Sequence, residues 1–285
     1  DAMTKTYDLT TSSLAKHFIR LAVPAAIGMI FSTLYNVVDV FFAGMIGTDA
    51  QAGLAISFQA FFIFVTIGFG LSAAMTALVG NAIGAKKTTD ASIIAAQGIG
   101  FSIVTSVLLI VAARFIGPHL LAIISTEGAY RTAGEAYLMI LILSLPGFIM
   151  GYGLNGILQA QGDTVSMQYA LIGAFFANIG LNPLMMFGIP GIWGGLGFDG
   201  IAAATVISQT GVMVYIGFRL MRSGLLDAKT LKSILPNLAL YRQILAQLLP
   251  TTFTMLVMFT AGFIVQFYLK TFGTPAVAAY GVALR

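Results

Sequence analysis

Cysteine is absent from this chain of 285 residues, and charged residues make up only 8% of it. Without cysteine these residues form no disulfide and offer no thiolate to a metal. So little charge excludes an ordinary soluble domain, in which roughly 25% of residues are charged. Hydrophobic residues instead make up 58% of the chain, and they form long continuous runs where a membrane β-barrel would have short alternating segments. The composition therefore predicts an all-α, polytopic membrane protein.

The apolar runs are long enough to cross a bilayer, because about 20 helical residues span a hydrocarbon core of about 30 Å. We predict seven complete spans and an eighth that begins near residue 275 and continues to the last residue. The seven cover residues 19–44, 54–80, 91–116, 133–156, 165–188, 198–221 and 243–271.

Lysine and arginine are distributed unevenly between the two ends of the spans. Ten lie on the side of the N-terminus and three on the opposite side, with Arg285 left unassigned. The ten are Lys5, Lys16, Arg20, Lys86, Lys87, Arg219, Arg222, Lys229, Lys232 and Arg242, and the three are Arg114, Arg131 and Lys270. Because cytoplasmic loops carry the excess of basic residues, we expect a cytoplasmic N-terminus in a cell inner (plasma) membrane. Because the basic residues lie at span ends, the net charge of +4 does not indicate a nucleic acid as a partner.

Sequence motifs of enzymes are missing as well. The chain has no DDxxD, HExxH, GxSxG or Walker A motif. Its two histidines, His17 and His119, lie near span ends and far apart in the sequence. We therefore expect a protein that is not an enzyme and has no metal site or organic cofactor.

The first span is repeated as the seventh, since Pro24 aligns with Pro250 at an offset of 250 − 24 = 226 residues. At the same offset Gly47 aligns with Gly273. Each repeat holds six spans, an even number, so both copies have the same orientation and a pseudo-twofold axis along the membrane normal relates them. The alternative is chance matching between two apolar helices. The repeat predicts two six-helix lobes, hence twelve helices and about 450 residues in the complete protein.

This repeat divides the chain into four parts, of which a six-helix bundle is the largest. They are a cytoplasmic N-terminal segment (1–18), the N-terminal six-helix lobe (19–221), a cytoplasmic inter-lobe loop (222–242), and the first helix and start of the second helix of a C-terminal lobe (243–285). We expect most of the second lobe to lie beyond this sequence.

Asp39 is the only Asp or Glu placed well inside an apolar span. An ionised acid at membrane depth costs about 3 kcal/mol or more, so it is rare and usually faces protein or water. Val265 stands at the corresponding position of the second copy, so the acid belongs to the first lobe alone. We expect Asp39 to bind a proton or coupling ion, and the alternative is a buried acid held by hydrogen bonds.

Other polar residues share the predicted depth of Asp39, in the outer half of the membrane. Two precede it by four and three residues on the same helix face, two lie one turn apart in the fifth span, and two lie early in the sixth. Such residues also join transmembrane helices to one another, so a structural role stays open for them. The expected lining of this polar cavity is Tyr35, Asn36, Asn178, Asn182, Thr205 and Ser208.

Pro24 interrupts the first span and lacks the amide hydrogen that a helix interior needs. It is either a fixed kink or a hinge, and we predict a hinge.

Five motifs resemble those of one transporter family. They are Tyr-Asn-Val-Val-Asp at 35–39 followed by Phe-Ala-Gly at 42–44, GNAIGAKK at 80–87, LQAQGDT at 158–164, NIGLNP at 178–183 and GIAAATVIS at 200–208. Together they are similar to the pattern of the multidrug and toxic compound extrusion (MATE) family, and the resemblance covers essentially the whole chain.

The resemblance implies a cation-coupled exporter that works by alternating access around a cleft between two six-helix lobes. It implies that Asp39 is the protonation or cation site, that small cationic or amphipathic drugs are the substrates, and that the protein is a monomer. Many members have Asp where this chain has Asn182. Because Na⁺ is a hard ion that prefers several oxygen ligands, the missing carboxylate favours H⁺ over Na⁺ as the coupling ion.

Three other functions remain to be compared with drug export. A lipid-linked oligosaccharide flippase of the same superfold would need several Arg or Lys well inside its spans, and in the first lobe these residues occur only at span ends. A membrane-embedded lipid enzyme would need paired acids or a metal cluster. A channel fits poorly with a parallel repeat and a single buried acid.

Overall fold

The computed structural model describes residues 14–226 and 230–284, without the side chains of residues 14–21, 24, 25, 231 and 232. Within these residues the chain is helical and forms no sheet; a single bridge pairs Ile189 with Trp193. The helices are α1 (Leu14–Ile46), α2 (Thr48–Gly84), α3 (Thr88–Ile124), α4 (Ala129–Leu141), α5 (Leu145–Ala160), α6 (Ser166–Phe187), α7 (Asp199–Arg222), α8 (Leu238–Leu269) and α9 (Thr274–Ala283).

The described part of the chain has seven helical segments long and apolar enough to cross a membrane, so the prediction of a polytopic all-α protein is confirmed. Several helices are longer than the predicted spans. Helix α2 has 37 residues instead of the predicted 54–80, which makes it about 55 Å long. Its polar ends continue the helix beyond the hydrocarbon core, whereas hydropathy marks only the apolar part.

The fourth span consists of two helices. A 3₁₀ turn over Ile142–Ser144 joins α4 to α5, and Pro146 stands in the first turn of α5. Proline removes a backbone hydrogen bond and clashes with the preceding turn, which accounts for the break. Ser144 Oγ donates to the carbonyl of Leu141 over 2.6 Å there.

Helix α2 lies at the centre of the bundle and packs against α3, α4, α5, α8 and α9. At its crossing with α5, a Cβ on Gly156 would stand 2.3 Å from the carbonyl oxygen of Ser72. Thr76 Oγ1 donates across the same crossing to the carbonyl of Gly156 over 3.1 Å. Apolar side chains gain little from leaving lipid, so small residues and interhelical hydrogen bonds hold such contacts.

Helices α1, α6 and α7 form a second group, in which α6 packs against both of the others. The side chain of Gln168 covers Gly28, and the rings of Phe31 and Phe175 meet edge to face with centroids 5.4 Å apart. This group brings the first, fifth and sixth spans together.

The start of the second copy repeats the local geometry of the first. Gly47 separates α1 from α2 with φ of 145°, and Gly273 separates the end of the α8 segment from α9 with φ of 89°. Both values favour glycine. The pseudo-twofold relation of whole lobes and the four-part division stay predictions.

The seventh span begins earlier than predicted, at Leu238 instead of residue 243. The side chain of Asn237 caps this helix by accepting from the amides of Ala239 and Leu240 over 3.0 and 3.2 Å. Pro250 lies inside α8. Pro24 falls within α1 but its side chain lies outside the described set, so its role as a hinge stays a prediction.

Candidate functional site

Asp39 is completely buried where α1 meets α6 and α7. Its Oδ1 accepts a hydrogen bond from Asn182 Nδ2 over 2.9 Å, and its Oδ2 accepts one from Thr205 Oγ1 over 3.3 Å. Two helices that are distant from α1 in sequence therefore place polar side chains around its carboxylate. Both donors favour its ionised form.

Asn178 and Asn182 lie one turn apart on α6 and are both completely buried. Asn182 Nδ2 donates to Asn178 Oδ1 over 2.9 Å as well as to Asp39. Asn178 Nδ2 and Asn182 Oδ1 have no hydrogen-bond partner. A buried polar atom without a partner costs about 1–3 kcal/mol and calls for an explanation. The pair thus offers one donor and one acceptor to a further group.

Tyr35 and Ser208 form a separate polar contact between α1 and α7, with their hydroxyl oxygens 2.7 Å apart. Ser208 Oγ donates to the carbonyl of Ala204 over 2.6 Å, so Tyr35 is the donor in this pair. Ser208 is therefore joined to α1 through Tyr35. Asn36 donates to the carbonyl of Ser32 over 2.9 Å and is only partly buried.

A cavity of about 120 Å³ lies beside this cluster. Thr205 belongs to both, because its side chain lines the cavity and its hydroxyl reaches Asp39. Much of the wall is aromatic, and among the described residues the lining includes no Lys, Arg, Asp or Glu. The lining residues are Ser32, Tyr35, Asn36, Phe58, Phe62, Phe69, Gly147, Phe148, Tyr152, Met167, Leu171, Thr205, Gln209 and Val212.

The aromatic part of this wall was not predicted. Phe58, Phe62 and Phe69 lie on α2, and Phe58 and Phe62 are four residues apart on one helix face. That spacing could have indicated a shared surface, but it is equally typical of a lipid-facing stripe.

A second cavity of about 360 Å³ lies between α1, α2, α8 and α9. Asn36, Phe58 and Phe62 line both cavities, so the two adjoin. On its far side Gln266 is buried and its Nε2 has no hydrogen-bond partner. The cavity beside Asp39 thus shares three lining residues with a cavity that α8 and α9 also line.

Asp163 lies at the opposite end of α6, in the connection from α5. Its Oδ1 accepts from the amide of Ser166 over 2.9 Å, and its Oδ2 is 3.0 Å from Arg219 Nη2. Partial burial alone would raise the pKa of Asp163, but hydrogen bonds from Ser166 and Val165 together with the Arg219 charge lower it. This pair fastens α6 to α7 on the basic side of the protein.

The described residues include no group of three or more His, Asp or Glu that could hold a metal ion. The chemistry of the site is therefore that of one carboxylate, its neutral hydrogen-bond donors and an adjoining aromatic chamber.

Comparison with known proteins gives the same assignment as the motifs. The chain is 22% identical over 282 residues to the multidrug export protein MepA of Staphylococcus aureus (strain MRSA252), a match that covers 98% of this chain and 61% of MepA. The chain thus spans about three fifths of the length of such relatives.

Solved structures share the fold. An inward-facing multidrug resistance MATE family transporter of the MOP superfamily superposes with a TM-score of 0.77 at 23% identity, over 93% of this chain and 60% of that one. A MOP superfamily transporter from Pyrococcus furiosus, described as having a binding pocket of reverse polarity, gives a TM-score of 0.76 at 24% identity, over 87% and 54%.

The MatE family model matches residues 24–184. That range includes Asp39, Asn178 and Asn182 and amounts to 161 of the 285 residues. With more than half of its length matched by one family model, the chain belongs to the MatE family.

Proposed function

We propose that the complete protein is a cation-coupled antiporter that exports cationic or amphipathic drugs by alternating access, with H⁺ as the coupling ion and Asp39 as its site. One observation carries the proposal: a completely buried carboxylate is held by Asn182 and Thr205 beside a chamber. Charge at this depth is costly, so gain or loss of one proton changes the energy of the first lobe.

The two asparagines can serve both states of Asp39. The ionised carboxylate accepts from Asn182 Nδ2, as described above. A protonated carboxyl would instead donate to an oxygen. If the amides of Asn178 and Asn182 both turn over, Asn182 Oδ1 faces Asp39 and accepts from Asn178 Nδ2. The two atoms that lack partners are the ones that this second arrangement uses.

The residue type at position 182 supports a proton over Na⁺. Asn182 brings no second carboxylate to Asp39, whereas Na⁺ is a hard ion that prefers several oxygen ligands. Na⁺ coupling stays the alternative, since the turned amide of Asn182, Asn178 Oδ1 and Thr205 Oγ1 would add oxygens to those of Asp39.

The aromatic chamber supports a cationic or amphipathic substrate. Aromatic faces attract cations, and the lining described above contains no basic side chain to repel one. The same feature disfavours an oligosaccharide diphosphate, for which a flippase would provide Arg or Lys. Antiport requires that drug and proton favour different conformations, because a ligand shifts an equilibrium only through its differential affinity. The adjoining cavity between α1, α2, α8 and α9, which shares lining residues with the aromatic chamber, supports a path for the drug through both spaces.

We further propose that the protein acts as a monomer in the cell inner (plasma) membrane, with its N-terminus in the cytoplasm. The uneven distribution of Lys and Arg supports this orientation.

The test is Asp39→Asn in the complete transporter, reconstituted in vesicles with an imposed pH gradient. Asparagine keeps the shape of the side chain and cannot titrate, so we expect drug efflux driven by the pH gradient to be lost while drug binding persists. The matched control is Asp49→Asn, the same change at an exposed position in the first turn of α2. Efflux at the wild-type rate in Asp39→Asn would show that Asp39 is a structural acid.

A further inference from the structure

The connection between α6 and α7 is apolar throughout. Residues 187–198 read FGIPGIWGGLGF, with no charged side chain, and include Trp193, the single tryptophan of the chain. We propose that this segment, the 188–198 loop, inserts into the lipid interface at the end of the protein opposite the basic inter-lobe segment.

The loop is a folded turn. The amide of Ile189 donates to the carbonyl of Trp193 over 3.0 Å, and the amide of Leu196 donates to the carbonyl of Met185 over 2.8 Å. Gly188 has φ of 74°, and a Cβ there would stand 2.2 Å from the carbonyl oxygen of Trp193. The base of the loop therefore satisfies backbone groups internally, as a segment in contact with lipid needs.

Its apolar side chains point outward. Ile192 is 76% exposed and Leu196 is 48% exposed. Phe187, where α6 ends, is 58% exposed and continues the same surface toward the exposed Ile179 and Phe176 of that helix. Contiguous exposed apolar surface marks an interaction site, and here the surface is continuous with the exposed apolar face of a helix long and apolar enough to cross a membrane.

The depth of the loop identifies the partner. Helix α6 has 22 residues and is about 33 Å long, so its end at Phe187 lies at the edge of a hydrocarbon core of about 30 Å. The loop is tied back to Met185 and Met186. Its tip extends about three residues past Phe187, which is at most about 10 Å at 3.3 Å per residue. The headgroup layer adds about 5–8 Å to each side of the core, so most of the loop lies within that layer.

Another connection at the same end of the bundle is polar. The segment between α3 and α4 carries exposed Glu127, and an Arg131–Glu135 pair follows it with 2.9 Å between Nε and Oε1. An apolar surface is therefore a property of the 188–198 loop and is not shared by all turns on this side. Tryptophan is enriched at membrane interfaces because its ring is amphipathic, which agrees with the position of Trp193.

Tryptophan fluorescence tests the proposal in the complete protein reconstituted into phosphatidylcholine vesicles. The difference in emission between wild-type protein and Trp193→Phe isolates Trp193 whatever other tryptophans are present. A second reporter, Ile192→Trp in the Trp193→Phe background, examines the tip itself. We expect both reporters to lose most of their fluorescence when the acyl chains are brominated near the headgroup. Aqueous iodide should quench them only slightly.

The control is Glu127→Trp in the Trp193→Phe background, which places the probe on the polar connection at the same end of the bundle. It should be quenched by iodide and not by brominated lipid. The decisive reporter is Ile192→Trp, because its side chain is exposed and protein contact cannot shield it. Quenching of that residue by iodide with no effect of brominated lipid would overturn the proposal and show that the loop stands in water.

Discussion

Asn182 turns its amide nitrogen toward Asp39 and donates to Oδ1 over 2.9 Å. The same nitrogen donates to Asn178 Oδ1 over 2.9 Å, so one amide group serves both neighbours. Asn182 Oδ1 and Asn178 Nδ2 lie on the unused sides of the pair. The arrangement matches an ionised Asp39 and contains the atoms that a protonated one would need.

Replacement of Asn182 by leucine removes the donor to Asp39 and should abolish most efflux driven by a pH gradient. The buried carboxylate would lose one of its hydrogen bonds, and we expect a loss of about 1–3 kcal/mol in stability. Efflux assays and thermal unfolding in detergent measure the two effects. Asn155→Leu is the matched control, because Asn155 is also buried but lies on α5, outside the group of α1, α6 and α7 that holds Asp39. Equal losses of efflux in both variants would contradict the role of Asn182.

Replacement of Asn182 by aspartate places a second carboxylate beside Asp39 and should introduce a response to Na⁺. Two carboxylates this close cannot both ionise without a cation between them, and Na⁺ is served by oxygen ligands. We expect Na⁺ to raise the melting temperature of this variant and a Na⁺ gradient to drive efflux. The double variant Asp39→Asn/Asn182→Asp retains one carboxylate in exchanged position and should show neither effect.

Helices α1, α6 and α7 bring together polar residues for which the sequence predicts one common depth in the membrane. Position along a span fixes depth, so Asp39, Asn182 and Thr205 could be placed at one level from the sequence alone. The depth of a residue does not determine how its helix is rotated or which side chains lie next to it, however. Ser208, predicted at the same depth as part of the cavity lining, is bonded to Tyr35 and to the carbonyl of Ala204.

The central position of α2 could not be predicted. Its apolar sequence resembles that of α3, and hydropathy does not distinguish a helix buried by protein from one that faces lipid. Packing depends on a few small residues, such as Gly156 opposite Ser72, whose partners lie in other helices. For the same reason the aromatic chamber lined by Phe58 and Phe148 became visible only when α2 and α5 were placed side by side.

The contribution of Asp163 to the stability of the fold should be lost only in strong acid. Because the pKa of Asp163 is lowered in the folded protein, its contribution to stability is present above the unfolded pKa of about 3.9 and is lost as the pH falls through the folded pKa. Asp163→Asn keeps an oxygen that can accept from the amides of Val165 and Ser166, and it should cost under about 1 kcal/mol, since the partly exposed pair with Arg219 is weak. Asp163→Ala also loses this acceptor and should cost about 1 kcal/mol more. Unfolding measured from neutral pH to pH 3 should show the acid-dependent loss in the wild type and not in Asp163→Ala.

The absence of cysteine from these residues makes the orientation directly testable. Lys87→Cys and Glu127→Cys place single thiols at exposed sites at opposite ends of α3. With a cytoplasmic N-terminus, a membrane-impermeant maleimide added to intact cells should label Glu127→Cys and leave Lys87→Cys unlabelled until the cells are opened. The reverse pattern would contradict the orientation inferred from Lys and Arg. Any cysteine in the rest of the complete protein is replaced beforehand.

The crossing of α2 and α5 should be the part of the bundle most sensitive to added volume. In Gly156→Ala the new Cβ would stand 2.3 Å from the carbonyl oxygen of Ser72, a backbone atom that cannot move aside alone. We expect the helices to separate, the Thr76 bond to Gly156 to lengthen and the protein to lose about 1–3 kcal/mol. Gly173→Ala is the matched control, because Gly173 lies in α6 with open space around the position of a Cβ. Alanine favours a helix over glycine by about 0.8–1.0 kcal/mol, so this control should be neutral or stabilising. Thermal unfolding of both variants in the same detergent compares them, and equal stability would show that α2 and α5 are not held at this distance by Gly156.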